Sequence, residues 1–187
     1  MILVLATPRS GSSWFTSNYL TSIHKDHVAV GEPFNSYHNS LQEQLVSLDT
    51  YANSSVIIKL FPQHIKDSLP GIYKKLSNAA EKIYILARKN YNAQLRSLYV
   101  AEQTEYFYSA SLPERNIQYH QDLYNLEDRL LKNSYYFLQQ SYRDLKNAQL
   151  VFIEDLPATG KYNQPVVWDV EPPVIDFDTV QIFKESK

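Results

Sequence analysis

The chain has 187 residues, 18 basic against 20 acidic, with 44% hydrophobic residues and no cysteine. This length suits one domain with a core of its own, and the composition excludes wholesale disorder. The near-balanced charge excludes a broad polyanion surface, so no nucleic-acid partner is expected, and the lack of cysteine excludes disulfides, thiolate metal ligands and a cysteine nucleophile. No run of about 20 apolar residues occurs, and residues 1–6 lack the basic flank of a secretory leader, so a soluble, cytoplasmic protein with no membrane span is expected.

In chain order, short unalternating apolar runs fall at residues 2–6, 28–30, 56–60, 83–87 and 150–153. Such runs predict strands buried on both faces. Between them Phe15, Tyr19 and Ile23 recur at helical spacing, as do Leu41, Leu45 and Leu48, and Ile65, Leu69, Ile72 and Leu76. The alternation predicts a parallel sheet with helices on its faces. From about 113 to 147 the residues Ile117, Tyr124, Leu131, Leu138 and Leu145 are spaced by seven, with Leu123, Leu130 and Phe137 beside them. That stripe predicts an amphipathic helical insertion over about 105–147, either one helix or two with a break at 119–121. The stripe reads as core packing or as a surface for a partner, a second copy included. From 157 onward, four of the nine prolines predict an extended wrap or a short hairpin in place of a helix.

The loop after the first run carries the strongest chemical signal. Thr7-Pro8-Arg9-Ser10-Gly11-Ser12-Ser13-Trp14-Phe15 links a strand to a helix through one glycine. A helix N-terminus turns backbone N–H groups and positive potential toward an anion. With only 4 glycines in the chain, Gly11 marks a backbone turn that a Cβ disfavours. Ser10, Ser12 and Ser13 add hydroxyl donors, and Arg9 adds a planar cationic fork. The loop lacks both the Gly-Lys-Ser/Thr of nucleotide triphosphatases and the G-x-G-x-x-G of dinucleotide folds. The alternative reading of the segment is a capped helix beside a solvated arginine.

This segment resembles the 5'-phosphosulfate loop of sulfotransferases that use 3'-phosphoadenosine-5'-phosphosulfate (PAPS). Arg9 stands where bacterial and carbohydrate-type members carry Arg and cytosolic members carry Lys. A second segment, residues 82–99, is similar to the family's 3'-phosphate motif. There an arginine ends a strand, and a serine about eight residues on completes a grip on a doubly charged group. Arg88 pairs with Ser97 at a spacing of nine, and Lys89 with Ser97 at eight. Val30-Gly31-Glu32-Pro33-Phe34 resembles the Gly-x-Glu-Pro or Glu-Pro segment of carbohydrate-type members, and Phe152-Ile153-Glu154-Asp155-Leu156 resembles a Tyr-Glu-Asp-Leu element. The family's glycine-rich basic loop near the C-terminus is not evident, with Gly160, Lys161 and Tyr162 at best a remnant.

The resemblance implies a three-layer, P-loop-like α/β fold with about five parallel strands. It implies PAPS as sulfuryl donor, PAP as product, a hydroxyl-bearing acceptor (carbohydrate, lipid or small molecule) and no metal. Arg9, Ser10, Gly11, Ser12, Ser13 and Trp14 would hold the 5' end, and Arg88 or Lys89 with Ser97 the 3'-phosphate. Arg9 would also stabilise the leaving phosphate. Glu32 is the first candidate base and His64 the second, with Lys59 near the transferred group. Tyr106, Phe107, Tyr108, Tyr135 and Tyr136 line an acceptor pocket or pack the core. A small P-loop kinase and a catalytically degenerate nucleotide- or partner-binding domain are the rival expectations.

Overall fold

The computed structural model describes residues 1–35, 39–67, 71–105, 115–157 and 166–185. Strand β1 (Ile2–Ala6) is buried at every residue. It is followed by β2 (Val28–Gly31), β3 (Val56–Leu60), β4 (Lys82–Ala87), β5 (Arg115–Ile117), β6 (Ala148–Phe152) and β7 (Val166–Trp168). Five of these form one parallel sheet in the order β2-β3-β1-β4-β6, while β5 and β7 pair in parallel as a separate two-stranded sheet. In the main sheet Leu3 is level with Ile58 on one side and Ile83 on the other.

The strand period of two splits β1 between two cores. Leu3 and Leu5 join the larger core, and Ile2, Val4 and Ala6 join the smaller. The smaller core is covered by a continuous helical segment: α1 (Ser12–Trp14), a π-helical stretch (Phe15–Leu20) and α2 (Thr21–Ile23). The larger core takes the other helices: α3 (Leu41–Tyr51), α4 (Pro62–Asp67), α5 (Ile72–Ala79), α6 (Tyr91–Thr104), α7 (Gln121–Asp144) and α8 (Thr179–Lys184). The result is a three-layer α/β fold with a central parallel sheet. From β1 the chain crosses one face to reach β2, and from β4 it crosses the other to reach β6. The adjacent C-terminal ends of β1 and β4 therefore form the topological switch point, where open α/β sheets take their ligands.

Several expectations need correction. The outer strands β2 and β6 are only partly buried, with Val28 66% exposed, because an edge strand has one neighbour. Helix α3 buries Gln44 and Leu48 and leaves Leu41 and Leu45 exposed. Its start is fixed by a capping box in which Ser40 accepts from Glu43 N–H and the Glu43 carboxylate accepts from Ser40 N–H. The helical run from Ile65 to Leu76 divides into α4 and α5, with Gly71 in the left-handed region before α5; Leu69 lies outside the described residues. The insertion is not wholly helical, since Ile117 sits in β5, and α7 begins at Gln121, where the break was expected. Along α7, Tyr124, Leu131, Tyr135 and Leu138 are buried while Leu123 and Leu130 are exposed. The tail is not purely extended: it contains β7 and a helix, α8, capped by the Asp178 side chain. Among the described residues no helix is long and apolar enough to cross a membrane.

Candidate functional site

The loop after β1 turns sharply at two left-handed residues, Arg9 (φ 57°) and Gly11 (φ 83°). Glycine adopts this conformation freely, whereas an arginine held there is strained by about 1–2 kcal/mol and marks a constrained site. A Cβ on Gly11 would stand 3.1 Å from Ile153 Cγ1, so the loop also packs tightly against the residue that follows β6. Ser10 N–H donates to Thr7 O (3.3 Å) and closes the turn. The leading N–H groups of the helical segment have no intrahelical acceptor and no side-chain cap. The Ser10 hydroxyl is buried with no hydrogen-bond partner among the described residues. Trp14 is half-buried and stacks on Tyr19, with centroids 6.1 Å apart.

The end of β4 meets this loop. Arg9 Nε donates to Ser97 Oγ (3.0 Å), and Arg88 Nη1 donates to the Arg9 carbonyl (3.4 Å). Arg88 and Ser97 thus converge on the residue that the β1 loop presents. Lys89 turns the other way: its ammonium pairs with Asp155, and its backbone N–H donates to Glu154 Oε2 (3.0 Å). Glu154 also accepts from Arg88 Nε and Asn90 N–H, both at 3.4 Å, so this carboxylate sits at the N-terminus of α6. Asn90 caps the same helix by accepting from Ala93 N–H (3.0 Å). Of the two registers weighed for the second motif, the one containing Arg88 lies beside the β1 loop.

On the β3 side a second cluster forms. Between Ala29 and Gly31 the β2–β3 register shifts by a bulge, and Gly31 has φ 75°. Bulges re-aim the next side chain, and here that side chain is Glu32. Its Oε1 pairs with Lys59 Nζ at 2.8 Å, and its Oε2 accepts from Asn35 Nδ2 (3.1 Å) and lies 3.6 Å from His64 Nε2. All three charged or ionisable side chains are largely buried, Glu32 at 12% exposure, Lys59 at 5% and His64 at 4%. Lys59 Nζ also donates to Ser13 Oγ (3.0 Å). Lys59 therefore joins the carboxylate cluster to the β1 loop. Chemically, the arrangement offers an anion cradle with two guanidinium groups, and next to it a carboxylate held by an ammonium.

The structure brings Ser13, Lys59, Glu32 and His64 into one contact chain, and it brings Arg88 and Ser97 to Arg9. Lys89 stands apart. Tyr135 is fully buried, in place of lining an acceptor pocket, and Tyr136 is 53% exposed. Tyr106, Phe107, Tyr108, Gly160, Lys161 and Tyr162 lie outside the described residues. Among the described residues no group of three or more His, Asp or Glu is placed to hold a metal ion.

Gln94 was not among the residues expected at the site, and Tyr135 was expected only in an acceptor pocket or the core. Gln94 Nε2 donates to Thr7 Oγ1 (2.6 Å) and Pro8 O (2.5 Å), and its Oε1 accepts from Tyr135 OH (2.6 Å). The usable signal was position: Tyr91, Gln94, Leu95 and Leu98 occupy one helical face, and a carboxamide on an otherwise apolar stripe needs a partner inside. The comparisons with known proteins leave the geometry to carry the functional reading: no protein-family model matches the chain, and no curated protein matches it.

Proposed function

We propose that this chain is a sulfotransferase that moves a sulfuryl group from PAPS to an acceptor hydroxyl by in-line displacement. The observation that carries the reading is the convergence of Arg9, Arg88 and Ser97 at the switch point between β1 and β4. Two arginines and a serine suit a ligand with separate phosphate groups at its two ends. The buried Ser10 hydroxyl and the strained Arg9 backbone are features that a bound anion explains.

In this reading Arg9 and the N–H groups at the start of the helical segment hold the 5' end and stabilise the charge that collects on the departing phosphate oxygen. Arg88 and Ser97 hold the 3'-phosphate. Glu32 accepts the acceptor's proton. As the acceptor oxygen bonds to sulfur, the sulfur–oxygen bond to the 5'-phosphate breaks and PAP leaves with the electron pair. Lys59 stands between base and cradle, bonded to both Glu32 and Ser13, so its ammonium reaches the oxygens of the transferred group. Glu32 precedes His64 as base because it is the more accessible of the two and lies directly against Lys59.

The test is a thermal-shift titration with PAP, set against ATP plus magnesium. Saturable stabilisation by PAP is expected, growing to about 2.7 kcal/mol at a hundredfold excess over Kd. Stabilisation by ATP plus magnesium alone would indicate a kinase. No response to either would indicate a degenerate binding domain.

A further inference from the structure

A chain of buried polar groups joins the loop after β1 to the end of β4. Gln94 is 0% exposed, as are Tyr135, Thr7 and Thr179. The Gln94 amide spends its two N–H groups on the β1 loop, at Thr7 Oγ1 and Pro8 O. Its carbonyl oxygen accepts the Tyr135 hydroxyl proton from α7. The Tyr135 oxygen in turn accepts from Arg88 N–H at 3.1 Å. On the other side of the same residue, Thr179 Oγ1 from α8 donates to Arg88 O at 2.7 Å. The Gln94 amide, the Tyr135 hydroxyl and both backbone polar groups of Arg88 have partners, and the β1 loop, the end of β4, α6, α7 and α8 meet there. A fully satisfied polar network in a low-dielectric interior is rigid and sensitive to the loss of any member.

We propose that Gln94 and Tyr135, backed by Thr179, are positioning residues that fix the distance between the β1 loop and Arg88, and so set the spacing of two phosphate subsites. The proposal deepens the sulfotransferase reading and rests on it for the identity of the ligand. None of the three residues needs to touch the nucleotide. Each acts through the backbone: Gln94 on Thr7 and Pro8 just before Arg9, and Tyr135 and Thr179 on the two polar groups of the Arg88 peptide. Asn92 holds the same strap of tail in place, donating to Ile175 O (2.9 Å) and accepting from Ile175 N–H (2.8 Å). The C-terminal segment therefore braces the site from behind.

The test uses Tyr135→Phe, which keeps the ring and deletes one hydroxyl, and Thr179→Val, which deletes a hydroxyl on the opposite side of Arg88. Two readouts are taken on the full chain. Without nucleotide, amide hydrogen exchange is expected to accelerate together in residues 9–13 and 88–90, while the exchange of β1 and β3 stays unchanged. With nucleotide, PAP affinity is expected to fall about tenfold, the effect of losing one good hydrogen bond. Affinity for AMP, which lacks the 3'-phosphate, is expected to change little. Equal losses for PAP and AMP, or faster exchange spread across the whole sheet, would overturn the positioning role. If the unsubstituted protein binds neither nucleotide, the sulfotransferase reading falls, and the exchange measurement alone still decides whether these residues couple the two loops.

Discussion

Arg9 Nε and Ser97 Oγ lie 3.0 Å apart, although 88 residues separate them. The contact exists because β1 and β4 are neighbours in the sheet while their crossovers depart over opposite faces. Replacing Arg9 by Ala removes the only guanidinium on the β1 loop. We expect turnover to fall about 10²–10³-fold, the cost of losing one preorganised donor to a developing charge. The thermal midpoint should hardly move, because the side chain is half-buried and not part of either core. Steady-state rates and melting curves of the same preparation check both halves.

The Lys59–Glu32 pair predicts a non-additive stability cycle. Breaking a buried pair by removing one partner costs about 3–5 kcal/mol, since the other charge stays desolvated. Lys59→Met should fall in that range. The double variant with Glu32→Gln should recover part of the loss, and denaturant unfolding of the four proteins measures the coupling. Glu32→Gln alone should also cut turnover by about 10²–10⁴-fold with PAP affinity largely kept. If His64→Gln is the slower of the two single variants, the base assignment moves to His64.

Gly11→Ala is expected to damage the cradle twice. Its φ of 83° costs an L-residue about 1–2 kcal/mol, and its new Cβ would stand 3.1 Å from Ile153 Cγ1. Stability should fall by that amount, and PAP should stabilise the variant less than the parent. An Ile153→Ala background removes the crowding atoms but not the backbone strain, so Gly11→Ala should cost less there than in the parent without becoming neutral.

Glu127 on α7 gives a prediction about pH. Burial, with the nearby Glu102 carboxylate adding to it, pushes its carboxyl up to about 7. The folded chain then binds more protons than the unfolded chain between the ordinary carboxyl range and pH 7. This contribution to stability is fully present below that range and is lost as pH rises through about 7. Glu127→Gln should therefore flatten the fall in melting temperature over that interval and leave the variant more stable than the parent at pH 8. Equal slopes for the two proteins would contradict the assignment.

The strands were legible because β1, β3 and β4 are apolar runs interrupted only by Lys59 and Lys82, and a run buried on both faces reads the same from either side. Gly11 and Gly31 were legible as punctuation in a glycine-poor chain. Two kinds of feature were not legible. Leu41 and Leu45 keep helical spacing yet face water, since spacing gives a period and leaves open which stripe turns inward. The link from Lys59 to both Glu32 and Ser13 depends on the neighbouring positions of β1 and β3, which no local pattern encodes. The bond between Gln94 and Tyr135 was hidden for a related reason. Each looks like an ordinary helix residue until the partner 41 positions away is in place. The second motif was legible only as a pair of registers, and the fold separates them by sending Lys89 to Asp155 and Arg88 to Arg9.

The brace formed by Thr179 has a consequence for how the protein is made. Synthesis delivers domains N-terminus first, so the loop bearing Arg9 and the helix bearing Ser97 leave the ribosome well before residue 179. Arg88 O cannot receive its bond from Thr179 until that last stretch emerges. A nascent chain can thus assemble the central sheet early while the brace on Arg88 stays unfinished. In the sulfotransferase reading proposed above, nucleotide would then act as a late fastener, drawing the final helix onto a scaffold already built.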